Sequence, residues 1–121
     1  GFGLWAVHLR ATGELLGDCG ITMQQIHGQR LPEIGFHMKK SVWGQGYATE
    51  AAKACLAWGM QQTDFPAFYC YQKSTNLPSR RVAEKLGMTL QEIYADPVNT
   101  FTSMYAITRT VFFAETQNAL L

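Results

Sequence analysis

Hydrophobic and polar positions alternate along three early stretches of the chain, at residues 4–10, 15–26 and 32–40. Alternation with a period of two is typical of a β-strand that buries one face. Short turn segments that contain glycine, residues 11–14 and 27–30, separate the three stretches. Because such short turns join neighbouring strands, the pattern predicts an antiparallel meander of three strands.

The period becomes helical from residue 47 to residue 62, with a stripe of small residues along one side of the predicted helix. This stripe consists of Ala48, Ala51, Ala52, Cys55 and Gly59, and it allows a helix to lie close to a sheet. A second helix is predicted to open at residues 76–79 and to run to Leu86. Gly87 is placed to end it, since glycine adopts the left-handed conformation that terminates helices.

Three further strands are predicted in the second half of the chain. Residues 65–71 form a continuous apolar run with four aromatic side chains, which indicates a buried central strand. Residues 89–94 and 103–116 are predicted as two closing strands around a turn at residues 96–99. The elements together predict an α+β domain with two helices.

Composition narrows the class of protein. The 121 residues are 47% apolar and carry a formal net charge of +1 without a long basic run. We therefore expect one compact domain and no nucleic-acid partner. The three cysteines have neither CxxC nor Cys/His spacing, and no apolar run approaches a membrane span. These features predict free thiols, no metal, no membrane partner and a cytoplasmic location.

The segment Gly44-Gln45-Gly46 lies between the predicted third strand and the first helix. Glycines there expose backbone N–H groups at the positive end of a helix and let another group approach the main chain. A phosphate or pyrophosphate is the natural ligand, although an ordinary strand-to-helix turn has the same sequence. A Rossmann fingerprint is excluded because Thr49 stands where its third glycine belongs.

Two motifs in order resemble the GNAT superfamily of acetyl-CoA-dependent N-acetyltransferases, in particular its RimJ/RimL-like branch. They are Glu33-Ile-Gly-Phe…Trp43-Gly-Gln-Gly-Tyr-Ala-Thr-Glu-Ala and Asn76-x-x-Ser79-x-Arg81-x-x-Glu-Lys-Leu-Gly87-Met88. The resemblance implies the GNAT (acyl-CoA N-acyltransferase) fold, a mostly antiparallel, twisted sheet with splayed central strands. The family's first strand and first two helices have no counterpart here, so we expect residues 1–121 to be a single acetyltransferase domain that is partial at its N-terminus.

The resemblance also implies where acetyl-CoA binds. The pyrophosphate loop would be Gly44, Gln45, Gly46, Tyr47, Ala48 and Thr49, with Trp43 and Tyr47 anchoring it as core aromatics. The main chain of Phe36, His37 and Met38 would hold the pantetheine arm, in a slot between the third and fourth strands. Asn76 and Ser79 would lie beside the thiol.

Two departures from the family pattern affect the expected chemistry. Ser41 stands where a Gln or Arg is common, and Ala83 stands where many relatives carry a tyrosine general acid. We therefore expect the Ser79 hydroxyl to assist the leaving thiolate. Glu33 is the first candidate for the base, with His37 and Asp96 as alternatives.

Each of these residues also has a purely structural interpretation. Asn76 and Ser79 could cap the helix, and Glu33 could be a solvated strand residue. The basic residues of the second helix, Arg80, Arg81 and Lys85, are most simply a solvated face.

The resemblance implies transfer of acetyl to a primary amine by direct attack on the thioester. The acceptor would be a protein N-terminus, such as that of a ribosomal protein, or a small-molecule amine. A non-catalytic acyl-CoA-binding or sensing module is the alternative, for which Ser41 and Ala83 leave room. A second copy of the chain is a candidate partner, since a homodimer would cover the sheet face that the family's first helices normally cover.

Overall fold

The computed structural model of the protein describes residues 3–119. Six strands and three helices follow one another along these residues: β1 Gly3–His8, β2 Leu15–Ile26, β3 Gln29–Met38, α1 Tyr47–Gln62, β4 Ala67–Lys73, α2 Leu77–Lys85, β5 Thr89–Asp96, β6 Thr100–Thr108 and α3 Arg109–Ala119. A short 3₁₀ turn, Lys40–Val42, precedes α1. None of the helices described is both long and apolar enough to cross a membrane.

All six strands belong to one sheet, in the order β1-β2-β3-β4-β6-β5. Every neighbouring pair is antiparallel except β3 and β4, which are parallel. The predicted meander of β1, β2 and β3 is confirmed, and its second turn is tighter than expected. His27 and Gly28 have φ values of 49° and 77°, which is typical of a two-residue hairpin turn and lets β3 begin at Gln29.

One face of the sheet and the helices form a single apolar core. Its buried sheet residues include Ile21, Ile34 and Phe68, and α1 contributes Ala52, Leu56 and Met60. The small-residue stripe brings α1 close to the sheet, as predicted. A Cβ added at Gly59 would lie 2.6 Å from Cζ of Phe68, so only glycine fits at this crossing.

The predicted strand over residues 103–116 is wrong in its second half. Strand β6 ends at Thr108, and residues 109–119 form helix α3. The last β4–β6 pair is Ala67 with Thr108, and one further bond, from the N–H of Arg109 to the Pro66 carbonyl over 2.9 Å, follows it. The Thr108 hydroxyl then accepts a hydrogen bond from the N–H of Val111 and starts the helix.

Strands β3 and β4 separate almost at once, which confirms the predicted splay. Only Glu33 and Tyr69 are paired in register between them. Beyond this pair, the end of β3 runs toward the loop before α1, while β4 runs toward α2. The opening between β3 and β4 provides the space for the candidate site.

Candidate active site

A cavity of about 430 Å³ lies between the end of β3, the loop before α1 and the first turns of α2. Most of the residues predicted to bind a cofactor line it. These are Phe36, His37, Met38, Gly44, Gly46, Tyr47, Ala48, Thr49, Asn76 and Ser79. The structure thus brings together segments that are separated by about thirty residues in the sequence.

The glycine loop has the geometry of an anion-binding turn. Gly44 and Gly46 have φ values of 80° and 85°, a region in which other residues are strained. Gly46 is the N-cap of α1, and no side chain caps this end of the helix. A Cβ at either glycine would meet no protein atom within 4 Å. The loop therefore leaves open space beside uncapped N–H groups at the positive end of a helix.

The side chains of Gln45 and Trp43 form hydrogen bonds that stabilise the conformation of this loop. The Gln45 amide donates a hydrogen bond to the Ser41 carbonyl over 3.4 Å, and Gln45 does not line the cavity. The Trp43 indole donates to the Met38 carbonyl over 2.9 Å. Trp43 thus anchors the loop as predicted, but it is 54% exposed and lies outside the core. It also lines the cavity.

Asn76 caps helix α2, and its position leaves it open to a ligand in the main cavity. Its Oδ1 accepts a hydrogen bond from the N–H of Ser79 over 3.3 Å, so Asn76 is the N-cap of α2. It also lines the main cavity together with Ser79. Ser79 borders a second cavity as well, and it therefore stands where the two spaces meet.

Two basic residues of the expected solvated face, Arg81 and Lys85, are exposed as expected and also line the main cavity. Arg81 and Lys85 face the glycine loop from α2. Pro78, Arg81, Val82 and Lys85 recur at helical spacing on the cavity side. The helical spacing of these four residues can be read from the sequence. The sequence does not show that this side of α2 lies opposite the glycine loop.

Arg80, the third residue of that expected solvated face, is an internal tether. Its Nε donates to the Tyr105 hydroxyl over 3.0 Å, and a second guanidinium nitrogen donates to the Ser74 carbonyl over 3.0 Å. The Tyr105 hydroxyl in turn donates to the Glu84 carboxylate over 3.1 Å. These bonds hold the first turns of α2 against β6 and the end of β4.

A second, smaller cavity of about 80 Å³, the slot, occupies the opening between β3 and β4. Glu33, His37, Tyr71 and Ser79 line it. Burial raises the pKa of Glu33 to about 7, although hydrogen bonds from the Tyr71 N–H and the Gln24 side chain oppose the rise. A carboxylate with this pKa changes protonation near neutral pH, as a general base must.

Two tyrosine hydroxyls lie near Glu33 and were not predicted. The Oη atoms of Tyr71 and Tyr94 are buried and have no hydrogen-bond partner among the described residues. Burial raises the pKa of both hydroxyls, and the charge that adds most to the rise is that of Glu33 at Tyr71 and that of Asp96 at Tyr94. Because buried polar atoms are normally paired, the Tyr71 hydroxyl, whose residue lines this cavity, is available to a polar group that enters beside Glu33. The sequence signal that could have identified Tyr71 is its spacing of two residues from Tyr69, which places both side chains on the same face of the strand.

The alternative candidates for the base have other partners. The His37 Nδ1 lies 2.8 Å from Oδ1 of Asp18, and its side chain is 74% exposed. The Asp96 carboxylate accepts a hydrogen bond from the N–H of Val98 over 2.7 Å and lines neither cavity. Among residues 3–119, no group of three or more His, Cys, Asp or Glu side chains could hold a metal ion.

The sequence matches the family of acetyltransferase (GNAT) domains over residues 1–89. The chain belongs to the GNAT acetyltransferase family. The uncharacterised protein YkkB of Bacillus subtilis is 46% identical over 88 residues, which are 73% of this chain and 51% of YkkB. The chain thus spans about half the length of this relative.

Solved GNAT structures share the fold. A GNAT acetyltransferase from Bacillus anthracis superposes with a TM-score of 0.74 at 27% identity, over 88% of this chain and 66% of that one. RimL, a ribosomal L7/L12 α-N-protein acetyltransferase solved with coenzyme A, gives a TM-score of 0.68 at 20% identity. That likeness covers 79% of this chain and 56% of RimL, and at this identity it shows the fold alone.

Proposed function

We propose that this protein transfers an acetyl group from acetyl-CoA to a primary amine. The carrying observation is the open glycine loop in the main cavity, next to a slot that contains a carboxylate with a pKa of about 7. The main cavity suits the donor, acetyl-CoA, and the slot suits the reacting amine. GNAT acetyltransferases as a family use acetyl-CoA, and the related RimL structure contains coenzyme A.

The main cavity suits the phosphates and the pantetheine arm of CoA. The N–H groups after Gly44 and Gly46 would hold the pyrophosphate, and Arg81 and Lys85 would supply positive charge from the facing helix. This pair of cations compensates for Ser41, where the family commonly has Gln or Arg. The β3 main chain around Phe36, His37 and Met38 is unpaired on its β4 side, so it can bond to the amides of the arm.

The slot suits the reaction itself. An alkyl amine has a pKa of about 10 and must lose a proton to attack the thioester. Glu33 would accept that proton, and the Tyr71 hydroxyl would orient the amine beside it. Ser79, which borders both cavities, would donate a hydrogen bond to the sulfur that leaves. Ser79 would thus act in place of the general-acid tyrosine that many relatives carry at the position of Ala83.

The acceptor class is proposed from the family likeness. The RimJ/RimL-like motifs favour a protein N-terminus, such as that of a ribosomal protein, and a small-molecule amine fits the same chemistry. The single partial domain over residues 1–121, the cytoplasmic location and the homodimer all stay predictions.

The test measures binding and turnover separately. Calorimetry with CoA measures occupancy of the main cavity, and release of free thiol from acetyl-CoA across a panel of amines and N-terminal peptides measures transfer. We expect micromolar binding and amine-dependent thiol release. Tight CoA binding without turnover on any amine would instead favour the non-catalytic acyl-CoA-binding module, and absence of CoA binding would contradict both.

A further inference from the structure

Two cysteines from different elements meet under helix α1. Cys19 lies on β2 and Cys55 on α1, and their Sγ atoms are 3.5 Å apart. Both are free thiols. A disulfide bond is about 2.05 Å long, so the two sulfurs need to approach by only about 1.5 Å to form one.

The small-residue stripe of α1 accounts for this proximity. A disulfide requires Cα atoms within about 7 Å of each other, closer than large side chains between a helix and a sheet permit. One turn from Cys55, a Cβ at Gly59 would lie 3.0 Å from Cδ1 of Ile21. Ala52, on the same side of α1, is fully buried. Helix α1 therefore packs closely on β2 at the position of the two thiols.

The two thiols differ in accessibility and in proton affinity. Cys19 is buried, and its contact with Cys55 together with this burial raises its pKa. Cys55 is partly exposed, and the contact with Cys19 lowers its pKa although burial opposes this. A partly exposed cysteine with a lowered pKa beside a buried cysteine with a raised pKa is the arrangement of an attacking cysteine with its resolving partner.

We propose that Cys19 and Cys55 are an oxidisable dithiol that closes to an intramolecular disulfide by exchange with a small-molecule disulfide. The Cys55 thiolate attacks one sulfur of that molecule, which forms a mixed disulfide and expels one thiolate. The Cys19 sulfur then attacks the Cys55 sulfur and expels the second thiolate, and the Cys19 proton passes to it. Two protein thiols are oxidised and one small disulfide is reduced to two thiols.

The third cysteine provides an internal control. Cys70 is buried, and its thiol donates a hydrogen bond to the Ile34 carbonyl over 3.3 Å. Burial raises its pKa, so exchange at Cys70 is disfavoured.

The test treats the folded protein with glutathione disulfide, quenches with acid, denatures and alkylates, and then maps the peptides by mass spectrometry. We expect a crosslink between Cys19 and Cys55, one alkylated thiol at Cys70, and three alkylated thiols again after reduction. Cys70→Ser is expected to form the same crosslink, whereas Cys55→Ser forms none. The oxidised protein is expected to melt at least about 5 °C higher, because the bond joins two distant segments.

Three results would overturn the proposal. They are three alkylatable thiols after oxidation of the folded protein, a crosslink that includes Cys70, and a stable glutathione adduct on Cys55 that Cys19 does not resolve. A lower melting temperature on oxidation would also contradict it, since the bond would then distort the packing of α1. None of these measurements depends on acetyl transfer.

Discussion

The main-chain N–H of Tyr71 donates a hydrogen bond to the Glu33 carboxylate over 3.3 Å. Two residues earlier in β4, Tyr69 is paired with the Glu33 backbone in the parallel ladder. At the position of Tyr71, β3 and β4 have separated. The Glu33 side chain there accepts the β4 N–H in place of a β3 backbone carbonyl. Backbone pairing and this side-chain bond together fix the carboxylate at the entrance of the slot.

The rate of acetyl transfer should depend on the protonation of Glu33. Because a base must be deprotonated to act and the pKa of Glu33 is about 7, we expect kcat/KM to rise with pH and to show an inflection near 7. Glu33→Gln should lower kcat by about 10²-fold or more and remove that inflection. A pH profile of thiol release from pH 5.5 to 9 measures both effects. The limb that reflects ionisation of the acceptor amine should persist in the variant.

An unchanged inflection near pH 7 in Glu33→Gln would assign the base to another group, of which His37 is the nearest candidate in the slot. CoA affinity serves as the control, since Glu33 lies outside the main cavity. Glu33→Gln should bind CoA as the wild type does.

Glu33 should also make stability depend on pH, with a sign opposite to that of most carboxylates. Burial raises the folded-state pKa above the ordinary value, so between about pH 4.5 and 7 the folded state holds a proton that the unfolded state has lost. Stability therefore falls as pH rises through this window, by an amount on the order of 3 kcal/mol at most. Urea unfolding should show Glu33→Gln to be more stable than the wild type at pH 8, with little difference at pH 4.5. Equal differences at both pH values would contradict a raised pKa.

Sequence patterns predicted the β1–β2–β3 meander because each of these strands has a clear period of two and both turns between them contain glycine. They also placed most of the main-cavity residues, because the glycine loop and the Asn76 segment are local motifs. The patterns could not show that Arg81 and Lys85 face the loop, since that depends on how α2 packs on the sheet. They missed the Tyr71 hydroxyl for the same reason, because it comes to lie in the slot with Glu33 only when β3 and β4, which are distant in the sequence, pair with each other.

The end of β6 illustrates a different limit. Residues 109–116 have aromatic and β-branched side chains that favour a strand, but the β4–β6 ladder ends at the pair of Ala67 and Thr108. Arg109 instead donates to carbonyl groups near the end of α1, including that of Phe65 over 3.1 Å. Tertiary contacts thus decide the conformation of a segment whose local preference is ambiguous.

Gly46→Ala should weaken CoA binding by tenfold or more. Gly46 has a φ of 85°, and an alanine there would be strained in this conformation and would place a methyl group in the open space beside the N–H groups. Gly28→Ala is a matched control, because Gly28 has a φ of 77°, has no atom within 4 Å of an added Cβ and lies in the β2–β3 turn. Both variants should lose similar stability, and only Gly46→Ala should lose CoA affinity by calorimetry. Equal CoA affinity in the two variants would remove the loop from the binding site.

Arg81→Ala and Lys85→Ala should each weaken CoA binding several-fold and should reduce its dependence on salt. Both side chains line the main cavity, and their charges would interact with phosphates. Lys53→Ala is the control, since Lys53 is exposed on α1 and lines neither cavity. Titrations at low and high ionic strength distinguish the variants. If Lys53→Ala weakened binding as much as the other two, the effect would come from net charge alone.

Asn76→Ala and Ser79→Ala should each slow turnover by at least about tenfold, as expected for lost contacts to the transition state. The Asn76 variant also loses the N-cap of α2, which should cost about 1 kcal/mol of stability. Asn76→Ser separates the two effects, because serine caps a helix well but lacks the amide. We expect Asn76→Ser to recover stability in urea unfolding while turnover stays low. Full recovery of turnover with the cap would mean that Asn76 acts only by holding α2, and wild-type turnover in Ser79→Ala would leave the departing thiolate to another donor.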